Sequence, residues 1–308
     1  MGKPLDTIGF IGMGSMGKPM ASCLHKAGYT LTVMDINAEA ANEFAATIGA
    51  TTVASGADLA RQSDVIITML PTSAIVESVL TGDNGVLSSI KDGAVILEMS
   101  SGIPSQTQKL AGLAEAAGAV LLDAPVSGGV SRAITGELAI MVGGSAQHVE
   151  RSNAILSCMG KSIVHTGEVG SAHAMKALNN LVSAGGFLIG IEALLIGQRF
   201  GLDPNVMVDV LNSSTGMNNS TQKKFKQFVL SREFNSGFGL DLMVKDLTIA
   251  LGIAVDSSTP APFSSLCREL WASSASLLGK GQDHTAVAKL LEHLSNTELG
   301  AACEPGNK

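Results

Sequence analysis

The segment Ile8-Gly-Phe-Ile-Gly12-Met-Gly14-Ser-Met-Gly17-Lys-Pro-Met constrains the fold more than any other, because an apolar run breaks on three glycines and passes directly into a helical pattern. That order predicts a strand, a tight turn and a helix whose first turn faces the loop. Gly12 permits the turn, Gly14 lets backbone approach a pyrophosphate, and Gly17 lets helix and strand pack closely; the N–H groups at the helix start attract the anion. A second apolar run, Leu31-Thr-Val-Met, ends on Asp35, whose carboxylate can accept both hydroxyls of an adenosine ribose. The residues expected on a dinucleotide are therefore Gly12, Met13, Gly14, Ser15, Met16, Gly17 and Asp35. Asp35-Ile-Asn-Ala contains no arginine, so a 2′-phosphate would face a bare carboxylate, and NAD is expected in preference to NADP.

The chain has 308 residues, more than one hydrophobic core usually serves, which predicts two domains. From Thr7 to about His165, short β-branched runs (TIGFIG, LTVMD, DVIITML, AVILEMS, AVLLDAP, LAIMVGG and SIVH) alternate with helical stretches. Repeated βα units of this kind imply an α/β fold, a Rossmann-type doubly wound and largely parallel sheet. Helix start signals separate the strands, such as Pro104 with Ser101 or Gly102 before it. Beyond Gly170 the strand signal stops, and helices are expected over 171–200, 204–212, 219–230, 241–255, 262–278 and 284–294. The reading is thus an NAD-binding domain over 1–167 and an all-helical domain over 168–308, opened by a long helix that is apolar nearly all round and should form a buried spine. Leu181–Gly197 is apolar, but it is interrupted by Ser183, Glu192 and glycines and is shorter than the roughly 20 residues of a span, so a core helix is expected there rather than a membrane helix.

A formal net charge of −7 and the absence of a Lys/Arg run argue against nucleic acid or an anionic membrane as partner and favour a small molecule. Cysteines at 23, 158, 267 and 303 are scattered, with no CxxC or Cys/His spacing, so neither a disulfide framework nor a metal site is expected. The N-terminus, MGKPLDTIGF, lacks an apolar signal-peptide region, and a cytoplasmic location is the expectation.

Four further constellations carry chemistry. Met69, Leu70 and Pro71 close an apolar strand, where ligands of open α/β sheets lie, and are expected to line the cofactor; Pro71 also suits the start of the next helix. Ser127-Gly128-Gly129 follows another strand and offers a hydroxyl beside two unhindered N–H groups, a nest suited to a carboxylate or simply a flexible turn. On the long helix, Lys176 and Asn180 share one face in otherwise apolar sequence. Desolvation and the positive charge of an oxidised nicotinamide would both favour a neutral amine, as a general base requires. His173, one turn earlier, is either a rival base or a buried ring satisfied by a backbone carbonyl. Lys245-Asp246 sits inside a predicted helix, where such a pair is ordinarily solvated.

In order, GFIGMGSMGKPMA, ITMLP, DAPVSGG, the G-x5-K-x3-N of Gly170, Lys176 and Asn180, and the F-x6-KD from Phe238 to Asp246 resemble the β-hydroxyacid dehydrogenase family, which includes 3-hydroxyisobutyrate dehydrogenase and tartronate semialdehyde reductase. The resemblance runs over roughly residues 6–295. It implies hydride exchange between nicotinamide and a small β-hydroxyacid or its semialdehyde, with Lys176 as the proton-transfer residue. It also implies substrate contacts from Asn180, Ser127, Gly128, Gly129, Ser101 and Phe238, and cofactor contacts from Ser101, Lys245 and Asp246. A homodimer or homotetramer follows from the same resemblance. Arg132 stands where many relatives carry a small residue, which suggests either a second anionic or polar group on the substrate or simply a surface arginine. The polar run Thr215–Ser220, with Asn218 and Asn219, suggests a hydroxylated substrate. Two rivals are imine reduction on the same scaffold, whose enzymes replace the lysine, and a non-catalytic NAD-binding protein.

Overall fold

The computed structural model describes residues 6–300; Cys303 and the end of the tail after Leu299 fall outside the described residues. The chain divides into two compact units, Met1–Lys176 and Ala177–Lys308. In the first, β1 (Thr7–Ile11), α1 (Gly17–Lys26), β2 (Thr30–Met34), α2 (Ala38–Ile48), β3 (Thr51–Thr52), α3 (Gly56–Gln62) and β4 (Val65–Thr68) make one half of a wound sheet. Then follow α4 (Ser73–Thr81), β5 (Val95–Glu98), α5 (Pro104–Ala116) and β6 (Val120–Asp123). The strand order β3-β2-β1-β4-β5-β6 reverses direction between β1 and β4, and every pairing along it is parallel. That is the order of a dinucleotide-binding sheet.

The strands read as continuous apolar runs because both faces are covered. Ile8, Phe10, Val65, Ile67, Val95 and Leu97 point into one core with Met20, Leu24 and Phe44. Their alternates Ile11, Ile66 and Ile96 point into the other with Leu59, Val76, Leu80 and Leu110. The run at Leu138, expected as one more βα unit, departs from the parallel pattern. The strands β7 (Val126–Ser127) and β8 (Leu138–Gly143) lie antiparallel to each other, joined by α6 (Gly129–Thr135). β8 also runs antiparallel to β6, and after α7 (Ala146–Met159) the strand β9 (Gly160–Gly167) lies parallel to β8. The connection from β7 to β8 carries only a seven-residue helix, which is too little chain for a parallel crossover. At α5 the capping position is Ile103 rather than Ser101 or Gly102, and Pro104 takes the first helical position.

The helix α8 (Ser171–Phe200) starts in the first unit and runs through the second. It is the one helix among the described residues long and apolar enough to cross a membrane, and 56% of its apolar window is buried within the protein. Ala184, Phe187, Ile191 and Leu194 on that helix pack with Phe225, Leu240, Leu247 and Trp271 in the core of the helical unit. Around this core lie α9 (Pro204–Asn212), α10 (Asn219–Lys223), α11 (Leu240–Asp256), α12 (Pro262–Leu278) and α13 (Ala288–Ser295). Two helices expected as continuous are divided. The stretch 219–230 breaks at Lys224 and continues as a π-helix, Phe225–Leu230; 284–294 opens as a 3₁₀ turn, His284–Val287, before α13. Periodicity marked these stretches as helical, but it does not register a change of turn type.

Gly17 opens α1 so close to the first loop that a Cβ there would stand 1.8 Å from the Gly12 carbonyl oxygen. Gly17→Ala must therefore push helix and strand apart, and we expect a loss of about 2 kcal/mol or more of unfolding free energy by urea titration. A change under about 0.5 kcal/mol, the scatter of neutral surface substitutions, would contradict the packing described.

Candidate active site

At the reversal of strand order, the loops after β1 and β4 touch. Gly12 has φ 103°, and a Cβ on it would meet the Met69 carbonyl oxygen at 2.2 Å, so glycine is required both by conformation and by space. At Gly14 the same construction meets nothing within 4 Å; its backbone faces open space beside the start of α1. Asp35, just beyond β2, is held by two backbone donors: Met13 N–H to Oδ2 at 2.6 Å and Asn37 N–H to Oδ1 at 2.8 Å. Each carboxylate oxygen keeps a second lone pair for a hydroxyl. An open groove of about 500 Å³ is lined by Met13, Gly14, Ser15, Lys18, Pro19, Val130 and Ile134. An unfilled glycine face at a helix start and an anchored carboxylate at the end of the next strand fit a dinucleotide's pyrophosphate and ribose. Met16 is half-buried beside this loop, Leu70 N–H donates to Ser100 Oγ at 2.9 Å, and Pro71 is exposed. The loops after β4 and β5 are thereby tied together, with Ser101 half-buried in the second.

Two carboxylates end neighbouring strands in the interior: Glu98 on β5 and Asp123 on β6, both buried. Asp123 accepts from Gly170 N–H at 2.8 Å and His173 N–H at 2.9 Å, which satisfies donors at the start of α8 and matches its dipole. The His173 ring completes the arrangement. Its Nε2 stands 2.9 Å from Glu98 Oε2 and 3.0 Å from the Ser100 carbonyl, while Nδ1 stands 2.8 Å from Thr107 Oγ1. Thr107 Oγ1 in turn donates to the Ile103 carbonyl at 3.1 Å, so both ring nitrogens face acceptors and the imidazolium is the form that fits. Burial alone would disfavour that charge, but the Glu98 carboxylate and its hydrogen bond outweigh burial and hold the His173 pKa above the ordinary value. Burial likewise opposes ionisation of Glu98, and the His173 charge, together with hydrogen bonds from His173 and Ser100, brings its pKa below the ordinary value. The backbone carbonyl expected for His173 is present, and an ion pair joins it. Its side chain is sealed from solvent, which removes it as a rival base.

Three residues after His173, Lys176 is 7% exposed, and Asn180 follows one turn later on the same face of α8, also 7% exposed. Within the helical unit, Asn180 Nδ2 donates to Asp246 Oδ2 at 2.6 Å. Asp246 is buried and its Oδ1 lies 3.6 Å from Lys245 Nζ, so the Lys-Asp pair is not a solvated surface pair. Phe238 packs edge-on against His284 with ring centroids 5.5 Å apart. In the sheet unit, Ser127 pairs with Ala139, and Gly128 and Gly129 take φ 135° and 70°; the face of Gly129 is open to 4 Å. The aliphatic stem of Arg132 covers Gly128, and Arg132 itself is exposed.

One polar residue serves differently from what the sequence suggested. Asn218 is the N-cap of α10: its Oδ1 accepts from Ser220 and Thr221 N–H, and Nδ2 donates to the Gly186 carbonyl at 3.4 Å. The polar run at 215–220 is thus engaged in ending one loop and starting a helix. Glu98 and Asp123 were not singled out from sequence, although an acidic residue closing each of two apolar strands was a visible signal.

The fold and loop geometry define a dinucleotide-binding protein, and comparison gives its class. Residues 7–167 match a family model described as the NAD binding domain of 6-phosphogluconate dehydrogenase. Residues 170–291 match one described as NAD-binding of NADP-dependent 3-hydroxyisobutyrate dehydrogenase. The chain is 38% identical over 293 residues to 2-(hydroxymethyl)glutarate dehydrogenase of Eubacterium barkeri, covering 95% of this chain and 97% of the relative. It is 38% identical to the human mitochondrial 3-hydroxyisobutyrate dehydrogenase over 86% of this chain and 80% of that one. The solved Mycobacterium tuberculosis 3-hydroxyisobutyrate dehydrogenase with L-serine superposes with a TM-score of 0.86 at 31% identity, covering 94% of this chain and 99% of that one. The protein belongs to the β-hydroxyacid dehydrogenase family of NAD(P)-dependent oxidoreductases, enzymes that act on the CH–OH group of a hydroxyacid.

The Glu98–His173 pair gives stability a pH signature. The depressed Glu98 contribution is present above its ordinary value of 4.5 and is lost as pH falls through its lower folded value. The raised His173 contribution is full below 6.5 and fades as pH rises through its higher folded value. Glu98→Gln should therefore cost most between those two ordinary values, about 3 kcal/mol, and less at alkaline pH. Urea unfolding of both proteins at several pH values measures this; a difference independent of pH would refute the ion pair.

Proposed function

We propose that this protein transfers hydride between NAD and a small β-hydroxyacid, or the matching semialdehyde, with Lys176 moving the hydroxyl proton. The observation that carries the reading is Lys176 itself: an amine only 7% exposed, one helical turn from an equally buried amide, in a chain that presents a dinucleotide loop. Burying a lysine is costly, and a neutral amine is the form a general base needs. In the oxidative direction the Lys176 amine takes the proton from the substrate hydroxyl; in the reductive direction its ammonium returns one to the forming alkoxide. Bound nicotinamide accepts or supplies the hydride. Asn180 hydrogen-bonds the reacting hydroxyl, and Asp246, by accepting from its amide, fixes which way that amide points. Ser127, Gly128 and Gly129 clamp the substrate carboxylate, with the open face at Gly129 admitting it. Ser101 and Phe238 flank the substrate, and Lys245 reaches the cofactor.

The preference for NAD rests on Asp35, whose carboxylate would repel a 2′-phosphate and has no arginine in the following three residues. Against it stand the NADP in the description of the family model that matches the helical unit and a solved structural neighbour, 26% identical, that is in complex with NADP+. Substrates of the type HOCH₂–CH(R)–COO⁻, shared by 3-hydroxyisobutyrate and 2-(hydroxymethyl)glutarate, suit the clamp and base.

Lys176→Ala should lower kcat at least about a hundredfold, the usual worth of a general acid or base, while calorimetry shows NADH affinity within a few-fold of wild type. Retained turnover would remove Lys176 from the chemistry. In a matched screen with 3-hydroxyisobutyrate, 2-(hydroxymethyl)glutarate, glycerate and 4-hydroxybutyrate, kcat/KM should be higher with NAD than with NADP for whichever acid reacts. A clear NADP preference would overturn the argument from Asp35.

A further inference from the structure

Within the helical unit, the segment that joins the π-helix Phe225–Leu230 to α11 is the most contorted stretch of backbone. Arg232, Phe234 and Gly237 all take left-handed conformations, with φ 66°, 46° and 87°. Arg232 and Phe234 each carry a Cβ that this region crowds, and such residues persist only where their surroundings over-determine them. Phe234 has two cations against its ring, Arg232 Cζ at 4.8 Å and Lys289 Nζ at 4.4 Å, and its N–H donates to the Phe228 carbonyl at 3.0 Å.

The rest of the segment is held by one carboxylate. Asp283 Oδ2 accepts from Gly237 N–H at 2.8 Å and from Phe238 N–H at 3.3 Å, and Ser236 Oγ donates to Oδ1 at 2.9 Å. Oδ1 also accepts from Thr285 N–H at 2.9 Å and Thr285 Oγ1 at 2.5 Å. Burial opposes a charge on Asp283, but hydrogen bonds from His284 and Thr285 hold its carboxyl well below the ordinary carboxylate range. Capping the 3₁₀ turn His284–Val287 accounts for the Thr285 bonds alone. The donors at Ser236, Gly237 and Phe238 come from 47, 46 and 45 residues earlier in the chain. Main-chain pairing runs alongside: Gly239 and Asp283 form an antiparallel bridge, and Leu240 N–H donates to the Gln282 carbonyl at 2.8 Å. Phe238 is thus gripped at three points, its N–H by Asp283, its carbonyl by His284 N–H at 2.8 Å, and its ring by the His284 ring. The residue is half-buried, so part of its surface stays accessible.

We infer that Asp283 is a positioning residue for the reaction: by holding residues 236–238 it sets the direction in which Phe238 meets the substrate. The inference rests on the contact proposed between Phe238 and the substrate, and adds the group that orients it. An aromatic side chain on a loose loop must be ordered at each binding event, whereas one already fixed binds without that entropic cost.

Asp283→Asn keeps the shape of the side chain but gives up its charge and one of its two acceptor oxygens. The test uses whichever of 3-hydroxyisobutyrate, 2-(hydroxymethyl)glutarate, glycerate and 4-hydroxybutyrate turns over. Asp283→Asn should raise KM about fivefold, the worth of an aromatic contact, with kcat and the NADH Kd within about twofold of wild type. Phe238→Leu should raise KM by a similar factor, and the double variant should match either single one, because both remove the same contact. Thr285→Val, which touches only the capping side of Asp283, should lower the urea midpoint of unfolding and leave KM unaltered. An unaltered KM in Asp283→Asn, multiplied effects in the double variant, or an equal rise in Thr285→Val overturns the assignment, since each marks a role in stability alone. Should Asp283→Asn not fold, Ser236→Ala removes one donor from the same carboxylate and is compared with Thr285→Val in the same way. If wild type turns over none of these acids, the proposed reaction falls, and calorimetry with each acid in the presence of NADH decides the positioning role. Weaker binding to Asp283→Asn than to wild type, by about fivefold, supports it; equal or undetectable binding in both proteins overturns it.

Discussion

Two carboxylates buried at the ends of adjacent strands organise the sheet unit and the helix that leaves it. Ionised groups are costly to remove from water, and Glu98 and Asp123 are tolerated because each meets fixed partners. Asp123 holds the N–H groups of Gly170 and His173; Glu98 holds the His173 ring and the Ser100 N–H. Together they grip the first turn of α8 at both its backbone and a side chain. That grip sets the rotational phase of the helix, and the phase decides which way Lys176 faces three residues on. A helix start secured only by apolar packing would be free to slide or rotate by a fraction of a turn; one held by directional bonds is not.

The dinucleotide end depends on a different constraint, the close approach of two loops at the reversal of strand order. Gly12 lies against the Met69 carbonyl and Gly17 against that of Gly12, so the turn is built from backbone on backbone, with no side chain between. Met13 N–H then reaches Asp35, and the carboxylate is oriented by the same loop that presents the helix start. The Ser100 hydroxyl links this end to the buried pair by accepting from Leu70 while its own carbonyl receives His173. The loops after β4 and β5 and the start of α8 are thus joined by two hydrogen bonds, both at Ser100.

In the helical unit polar side chains are mostly engaged by the fold. Asn218 caps α10, Asp283 caps the 3₁₀ turn before α13, and Arg232 pairs with Glu292. Asp246 is the exception of interest, since its partner is Asn180, on the face of α8 that also carries Lys176.

By itself the sequence determined the wound parallel sheet, the loop at Gly12–Gly17, the helical second half and the shared face of Lys176 and Asn180. Each is a local pattern: a period of two or of 3.6, or a glycine spacing, that any continuous stretch of chain displays. It did not determine that β8 runs antiparallel, that the helix at 219–230 breaks at Lys224, that Asn218 is a cap, or that Glu98 binds His173 across 75 residues. These were decided by tertiary structure, because direction of pairing, turn type and the partner of a buried charge depend on residues distant in the chain. Asp35 shows the division within one residue. Its place at the end of β2 was legible, whereas the two backbone donors that orient it came only with the folded loop.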